Sequence, residues 1–167
     1  MRAARGTAVT IEYELRPQGA EQPVDWTDPG APLTFLFGAG RVLPGVERLL
    51  LGLEPGDEVE GEIAPEDAYG YPDAALIESV PRDRFGSGGP PEIGAHFEAR
   101  QDGRVRFAKV VGYDGDDVRL DLNHPLAGVA LLCRVRVLAV RAATPVELVT
   151  GRLVDGFDAQ PGPTAAR

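Results

Sequence analysis

Residues 32–63 read PLTFLFGAGRVLPGVERLLLGLEPGDEVEGEI, and three patterns in this stretch decide the fold. Leu33, Phe35 and Phe37 alternate along the chain with the period of a strand, which Gly38-Ala39-Gly40 closes. Val46, Leu49, Leu50 and Leu53 then fall at i, i+3, i+4 and i+7, the apolar stripe of a short helix. Pro44 stands just before that stripe, and Glu54-Pro55-Gly56-Asp57 ends it with turn formers. Val59, Gly61 and Ile63 alternate with Glu58, Glu60 and Glu62, so a second strand follows with one acidic face.

Strands dominate on both sides of this core. Upstream, Val9, Ile11, Tyr13 and Leu15 share one face, and Thr10, Glu12, Glu14 and Arg16 the other. A turn-rich stretch from Pro17 to Pro32 contains the pair Val24-Asp25. Downstream, Pro65 to Asp73 (PEDAYGYPD) sets two tyrosines among turn formers. The Gly/Pro/Ser break at 86–91 precedes short strands at Ile93–Arg100, Val105–Tyr113 and Val118–Leu122, with turns at Gly103 and Asp114-Gly115-Asp116. A compact β-rich unit is expected between residues 74 and 122. Leu131, Cys133, Val135 and Val137 share one face of a long strand, opposite Arg134 and Arg136. Thr144-Pro145-Val146-Glu147 matches a capping box and predicts a brief helical turn. Residues 151–167 lack periodicity and are expected to be disordered. The fold class is therefore α+β, mostly β.

Composition narrows the setting. Of 167 residues 43% are hydrophobic, enough for a core. No apolar run approaches the roughly 18 residues needed to span a bilayer. Met1-Arg2-Ala3-Ala4-Arg5 has no apolar stretch behind it, unlike a secretory signal. The single cysteine, Cys133, excludes an internal disulfide, and a reducing cytoplasm is the expected compartment. A net charge of −9 disfavours phosphate-backbone binding, so nucleic acid is not an expected partner, and with no spanning run neither is a membrane.

Conventional reactive groups are missing. Cys133 lies mid-strand among aliphatic neighbours, where a free thiol acts as a small hydrophobe. His96 and His124 are distant in sequence and lack the spacing of metal ligands. Asp57 and Asp73 sit in turns that favour aspartate for backbone reasons. Gly38-Ala39-Gly40 opens no phosphate-binding helix. No triad, phosphate loop or metal site survives; if the chain is an enzyme its chemistry needs none of them, and no cofactor is expected.

Five segments, in order, carry a resemblance to a known family: Ile11–Leu15 before Val24-Asp25, Pro32–Gly38, Arg41–Glu47, Asp67-Ala68-Tyr69-Gly70, and Asn123-His124-Pro125-Leu126-Ala127-Gly128. Together they resemble the FKBP-type prolyl isomerases over roughly residues 6–148, and the last segment resembles the SlyD branch. The resemblance implies a bent antiparallel sheet wrapped on one short helix, with a small β-rich domain inserted in the flap. It divides the chain into an isomerase domain of residues 1–73 and 123–150, an insert of 74–122 and a tail of 151–167.

The resemblance also implies a site. Tyr69 offers its hydroxyl to a substrate carbonyl, Asp25 accepts a hydrogen bond at the rim, and Tyr13 is oriented by it. Val24, Leu33, Phe35, Val42, Leu43, Val46 and Cys133 line the substrate pocket, Val42-Leu43 through backbone groups. Taken alone, Tyr13, Leu33 and Phe35 suit an ordinary core equally well, Asp25 suits a turn, and Tyr69 suits loop packing. Two positions depart from the family: Val46 replaces an aromatic floor residue and Cys133 a phenylalanine. In the insert, Ile93, Phe97, Val105, Phe107, Val110, Val111 and Tyr113 crowd a unit too small to bury them all. They serve either as its core or as a surface for unfolded chains. Unfolded or proline-containing polypeptides are the expected partners, and a monomer the expected state. The alternative is a catalytically weak chaperone on the same scaffold.

Overall fold

A computed structural model describes residues 1–89, 91–101 and 104–154, without the side chains of 99–101, 104 and 105. The Val105 side chain and the expected disorder of residues 155–167 lie outside what is described. In chain order the strands are β1 (Thr7–Pro17), β2 (Asp25–Trp26), β3 (Leu33–Leu36), β4 (Glu58–Ile63), β5 (Ile77–Pro81), β6 (His96–Gln101), β7 (Arg104–Asp114), β8 (Asp117–Asp121) and β9 (Leu131–Ala142). Two helices, α1 (Pro44–Leu50) and α2 (Pro145–Thr150), accompany them. The chain divides into two compact units, one of residues 1–70 and 129–167, the other Tyr71–Gly128. Among the described residues no helix is long and apolar enough to cross a membrane.

The first unit is an antiparallel sheet in the order β2-β1-β9-β4, with β3 also paired to β1. Register explains the alternation seen in sequence. Leu15, Cys133 and Gly61 form one cross-strand row, and Tyr13, Val135 and Val59 the next. Glu14–Arg134–Glu60 lies between these and Glu12–Arg136–Glu58 beyond them, rows of opposite charge on the other face. Arg134 bonds Glu58 diagonally at 2.6 Å. The apolar face is sealed: Ile11, Leu15, Ile63, Leu131, Cys133, Val135 and Val137 are all buried.

Helix α1 lies against that face because two glycines make room for it. A Cβ on Gly45 would collide with Ile63, and one on Gly61 would stand 2.5 Å from Leu49 Cδ2. The periodicity predicts a helix through Leu53, yet α1 ends at Leu50. Gly52 adopts a φ of +84°, and its N–H donates to the Ala3 carbonyl while Ala3 N–H donates to Leu53. The last turn is thus traded for pairing with the amino-terminal segment. Strand β3 also breaks its alternation, since Leu36 is buried along with Phe35 and Phe37. Leu36 and Phe37 line a groove shared with Leu148 and Val149 of α2.

The capping box at α2 is complete. Thr144 N–H donates to Glu147 Oε2 at 2.7 Å, and Glu147 N–H donates to Thr144 Oγ1 at 3.3 Å. Both Arg141 nitrogens grip the same buried carboxylate, at 2.9 and 2.7 Å. This fork and the Thr144 amide hold the Glu147 carboxyl well below the usual carboxylate range.

The second unit is a four-stranded antiparallel sheet, β5-β8-β7-β6. Its first strand, β5, is not visible as a strand in sequence. Ile77-Glu78-Ser79-Val80-Pro81 has no alternation, and only Ile77 and Val80 are partly covered. The core is small: Ala108, Val110, Val118 and Leu120, with Val80, Phe85, Phe97 and Leu122 against them. The Phe85 and Phe97 rings meet edge-on at 6.0 Å. The compact unit spans Tyr71–Gly128. Within it the Asn123 amide accepts from Asp73 N–H at 2.8 Å and donates to Asp73 C=O at 3.0 Å. It pairs the two connecting segments as a strand residue would.

Candidate functional site

Tyr13 projects from the apolar face of β1, and the short strand β2 brings Asp25 to it. Leu15 pairs with Asp25 and Glu14 with Trp26, while Val24 N–H donates to the Leu15 carbonyl at 2.8 Å. Thr27 closes the clamp: its N–H donates to the Tyr13 carbonyl at 3.0 Å, and its hydroxyl accepts from Tyr13 N–H at 3.1 Å. The turn-rich segment is thereby fixed on β1, and the Tyr13 hydroxyl donates to Asp25 Oδ2 at 2.5 Å. Sequence reading missed Thr27; its only signal is a hydroxyl two residues beyond the key aspartate.

Electrostatics ties two more residues to this pair. Burial raises the Tyr13 hydroxyl far above its ordinary pKa, and the Asp25 carboxylate, Tyr69 and Cys133 push the same way. Burial also raises Tyr69, with Asp25 adding to it. Cys133 is pushed up to about 12 by burial alone, so its thiol stays protonated and unreactive. Tyr13, Asp25, Tyr69 and Cys133 therefore share one low-dielectric neighbourhood. Both phenols remain neutral donors at any physiological pH.

The other expected pocket residues divide by depth. Phe35 is buried and stacks on Phe37, with ring centroids 6.4 Å apart. Val46 is buried on α1, and Val24, Leu33, Val42 and Leu43 are partly exposed. Leu43 is used on one side only. Its carbonyl accepts from Val46 and Glu47 at the start of α1, at 2.9 and 3.2 Å. Among the described residues its N–H has no acceptor. In the second unit Ile93, Val111 and Tyr113 are exposed by 62, 39 and 37%, whereas Phe97 is in the core and Phe107 is half-buried. Among the described residues no three His, Cys, Asp or Glu side chains group as metal ligands would.

Comparison with known proteins gives this geometry its context. Residues 1–103 match the family of FKBP-type peptidyl-prolyl cis–trans isomerases. The SlyD FKBP-type isomerase of Vibrio cholerae is 37% identical over 92% of this chain and 76% of its own length. That of Helicobacter pylori is 36% identical over 85% of this chain and 77% of its own. The Escherichia coli K12 protein is 34% identical over 92% and 78% respectively. A partly buried tyrosine–aspartate pair beside an apolar sheet face, on a sheet packed by one short helix, thus occurs in a chain related to those proteins along most of its length. The chain belongs to the FKBP-type peptidyl-prolyl cis–trans isomerases, in the branch of these SlyD relatives.

Proposed function

We propose that this chain accelerates protein folding by rotating X–Pro bonds over the floor of Val46 and Cys133, while its second unit holds unfolded or extended polypeptide. The observation that carries the reading is the Tyr13–Asp25 hydrogen bond set beside Tyr69 and the apolar sheet face.

Prolyl isomerisation breaks no bond. Its barrier of about 18–20 kcal/mol is amide resonance, lost as the C–N bond twists. The twisted amide is less dipolar than the planar one, so a pocket of aliphatic side chains favours it over the ground state. Holding the neighbouring backbone then requires fixed donors. The Leu43 N–H and the Tyr69 hydroxyl suit two substrate carbonyls, and a neutral phenol donates without the cost of burying charge. Asp25 orients the ring of Tyr13 as one wall. Val24, Leu33 and Val42 complete the rim.

Ile93, Val111 and Tyr113 support the second half of the proposal. Gly94 N–H donates to the Val110 carbonyl and the Tyr113 hydroxyl to that of Pro91, each at 2.7 Å. The 91–95 segment thus runs beside residues 110–113, and Ile93 lies between the two attachment points. An exposed apolar strip of this kind suits an extended chain. The cytoplasm is the compartment in which such an isomerase, with a buried free thiol, meets nascent chains.

The test is refolding of a protein limited by one slow prolyl isomerisation. Acceleration at well below stoichiometric concentration supports turnover. Binding of the unfolded protein without acceleration overturns it in favour of a holdase, the reading that the small floor of Val46 and Cys133 favours.

A further inference from the structure

Helix α1 does more than supply Val46. Arg48, on the same helix, reaches the loop that carries Tyr69: its Nη2 lies 2.5 Å from Asp67 Oδ2. Asp67 ends the 3-10 turn Pro65–Asp67, two residues before Tyr69. Around that tyrosine the chain is tightly wound. Pro65 carbonyl accepts from Ala68 N–H at 3.0 Å and from Gly70 N–H at 2.7 Å, so the amides on both sides of Tyr69 converge on one oxygen. This closes the loop on itself, and β4 anchors its start through the Ile63–Leu131 pairing. The Arg48–Asp67 pair adds an anchor at the Tyr69 end, because the helix on which Arg48 stands is seated on the sheet at Gly45–Ile63 and Leu49–Gly61. The Asp67 side chain is 27% exposed and Arg48 60%, so the pair is partly shielded at its loop end.

We propose that Arg48 is a positioning residue for catalysis, a strut that holds the Tyr69 hydroxyl at a set height over the Val46 floor through its ion pair with Asp67. The inference rests on the assignment of Tyr69 as the substrate-carbonyl donor. Its physical basis is preorganisation: a donor held in place loses no freedom as the amide twists, and a small misplacement weakens the bond it makes. Exposed ion pairs contribute little to global stability, so the effect belongs in the rate rather than in the melting temperature.

The experiment is steady-state isomerisation of a proline tetrapeptide by the full chain, in a double-mutant cycle of Arg48→Ala with Tyr69→Phe. Arg48→Ala and Asp67→Asn are each expected to lower kcat by about two- to fivefold with KM and thermal midpoint nearly unchanged. In the Tyr69→Phe background Arg48→Ala is expected to have no further effect. The charge swap Arg48→Asp with Asp67→Arg restores most of the rate. Raising salt to about 1 M narrows the gap between wild type and Arg48→Ala, since the ion pair is screened. An equal loss in both backgrounds, or no loss in either, overturns the strut. If Tyr69→Phe itself leaves the rate unchanged, the assignment of Tyr69 fails first, so that single variant tells the two failures apart.

Discussion

Tyr13 and Tyr113 show how differently the two units treat the same side chain. Tyr13 is drawn inward, its hydroxyl given to a carboxylate and its backbone clamped by Thr27. Tyr113 keeps more than a third of its surface in solvent, with Arg82 5.1 Å over its ring and the Pro91 carbonyl accepting a hydrogen bond from its hydroxyl. The contrast follows from size. The first unit has a long sheet, with β1 and β9 paired along their whole length, and can close over its polar groups. Among its described residues the second buries four core side chains and leaves apolar surface exposed. The larger unit buries its aromatic and polar groups together, and the smaller one leaves Ile93, Val111 and Tyr113 exposed.

The sharpest way to break this comparison is to remove one side of it. If the second unit holds unfolded clients as proposed, replacing residues 71–128 by a short glycine linker should lower the rate on a refolding protein by about a hundredfold. Tetrapeptide turnover should change little. A cooperative thermal transition in the truncated chain checks that the first unit still folds. Equal losses on both substrates would show that the strip recruits nothing.

Next in size is a change aimed at the larger unit alone. Gly45→Ala places a methyl group into Ile63, where the sheet leaves no room for it. Overpacking of this kind costs about 1–3 kcal/mol, read as a lower midpoint of urea unfolding. Exchange protection in β7 and β8 should be untouched. A matching loss there would mean that the units unfold as one. Smaller still, Tyr69→Phe removes one hydrogen-bond donor, which predicts up to about a tenfold fall in tetrapeptide turnover. Binding of unfolded protein, measured by anisotropy, should stay constant if the strip alone carries it.

How much of this was legible in sequence depends on whether the cause is local. The alternation of β1, β4 and β9 and the stripe of α1 are set by which residues face the core, and the sequence pattern records that directly. The capping box of α2 is equally local. What escaped the sequence depends on what lies across the fold. Leu36 is buried against the alternation of its strand, in a groove to which α2 also contributes, and Gly52 ends α1 because Ala3 is there to pair. Strand β5 forms on the edge offered by β8, with little pattern of its own. Gly61 reads as a weak strand residue until Leu49 is placed opposite. The pairing of Tyr13 with Asp25 came from resemblance alone, since nothing in a Val-Asp pair announces a partner on another strand. Thr27 and Arg48 had no signal, being ordinary residues whose roles come from position.

The smallest expected effect separates the units by pH. Burial disfavours the charged form of His124, so its pKa in the folded chain lies below the ordinary 6.5. Its Nδ1 also accepts the Leu126 N–H at 3.1 Å, a bond that a proton on that nitrogen would remove. His96, Lys109 and Asp121 line the same pocket. As pH falls through about 6.5 the unfolded chain takes up the proton first, so the second unit loses stability from there down to the folded pKa. Glu147 has the opposite placement. Its carboxyl is held low by Arg141, so its contribution is complete above about pH 4.5 and is lost only as pH falls through the lower, folded value. Hydrogen exchange between about pH 7 and 5.5, corrected for intrinsic rates, should therefore show β7 and β8 loosening slightly while β1 and β9 hold. His124→Gln should abolish that difference. Loosening of all four strands together would place the pH response outside His124 and join what the comparison separates.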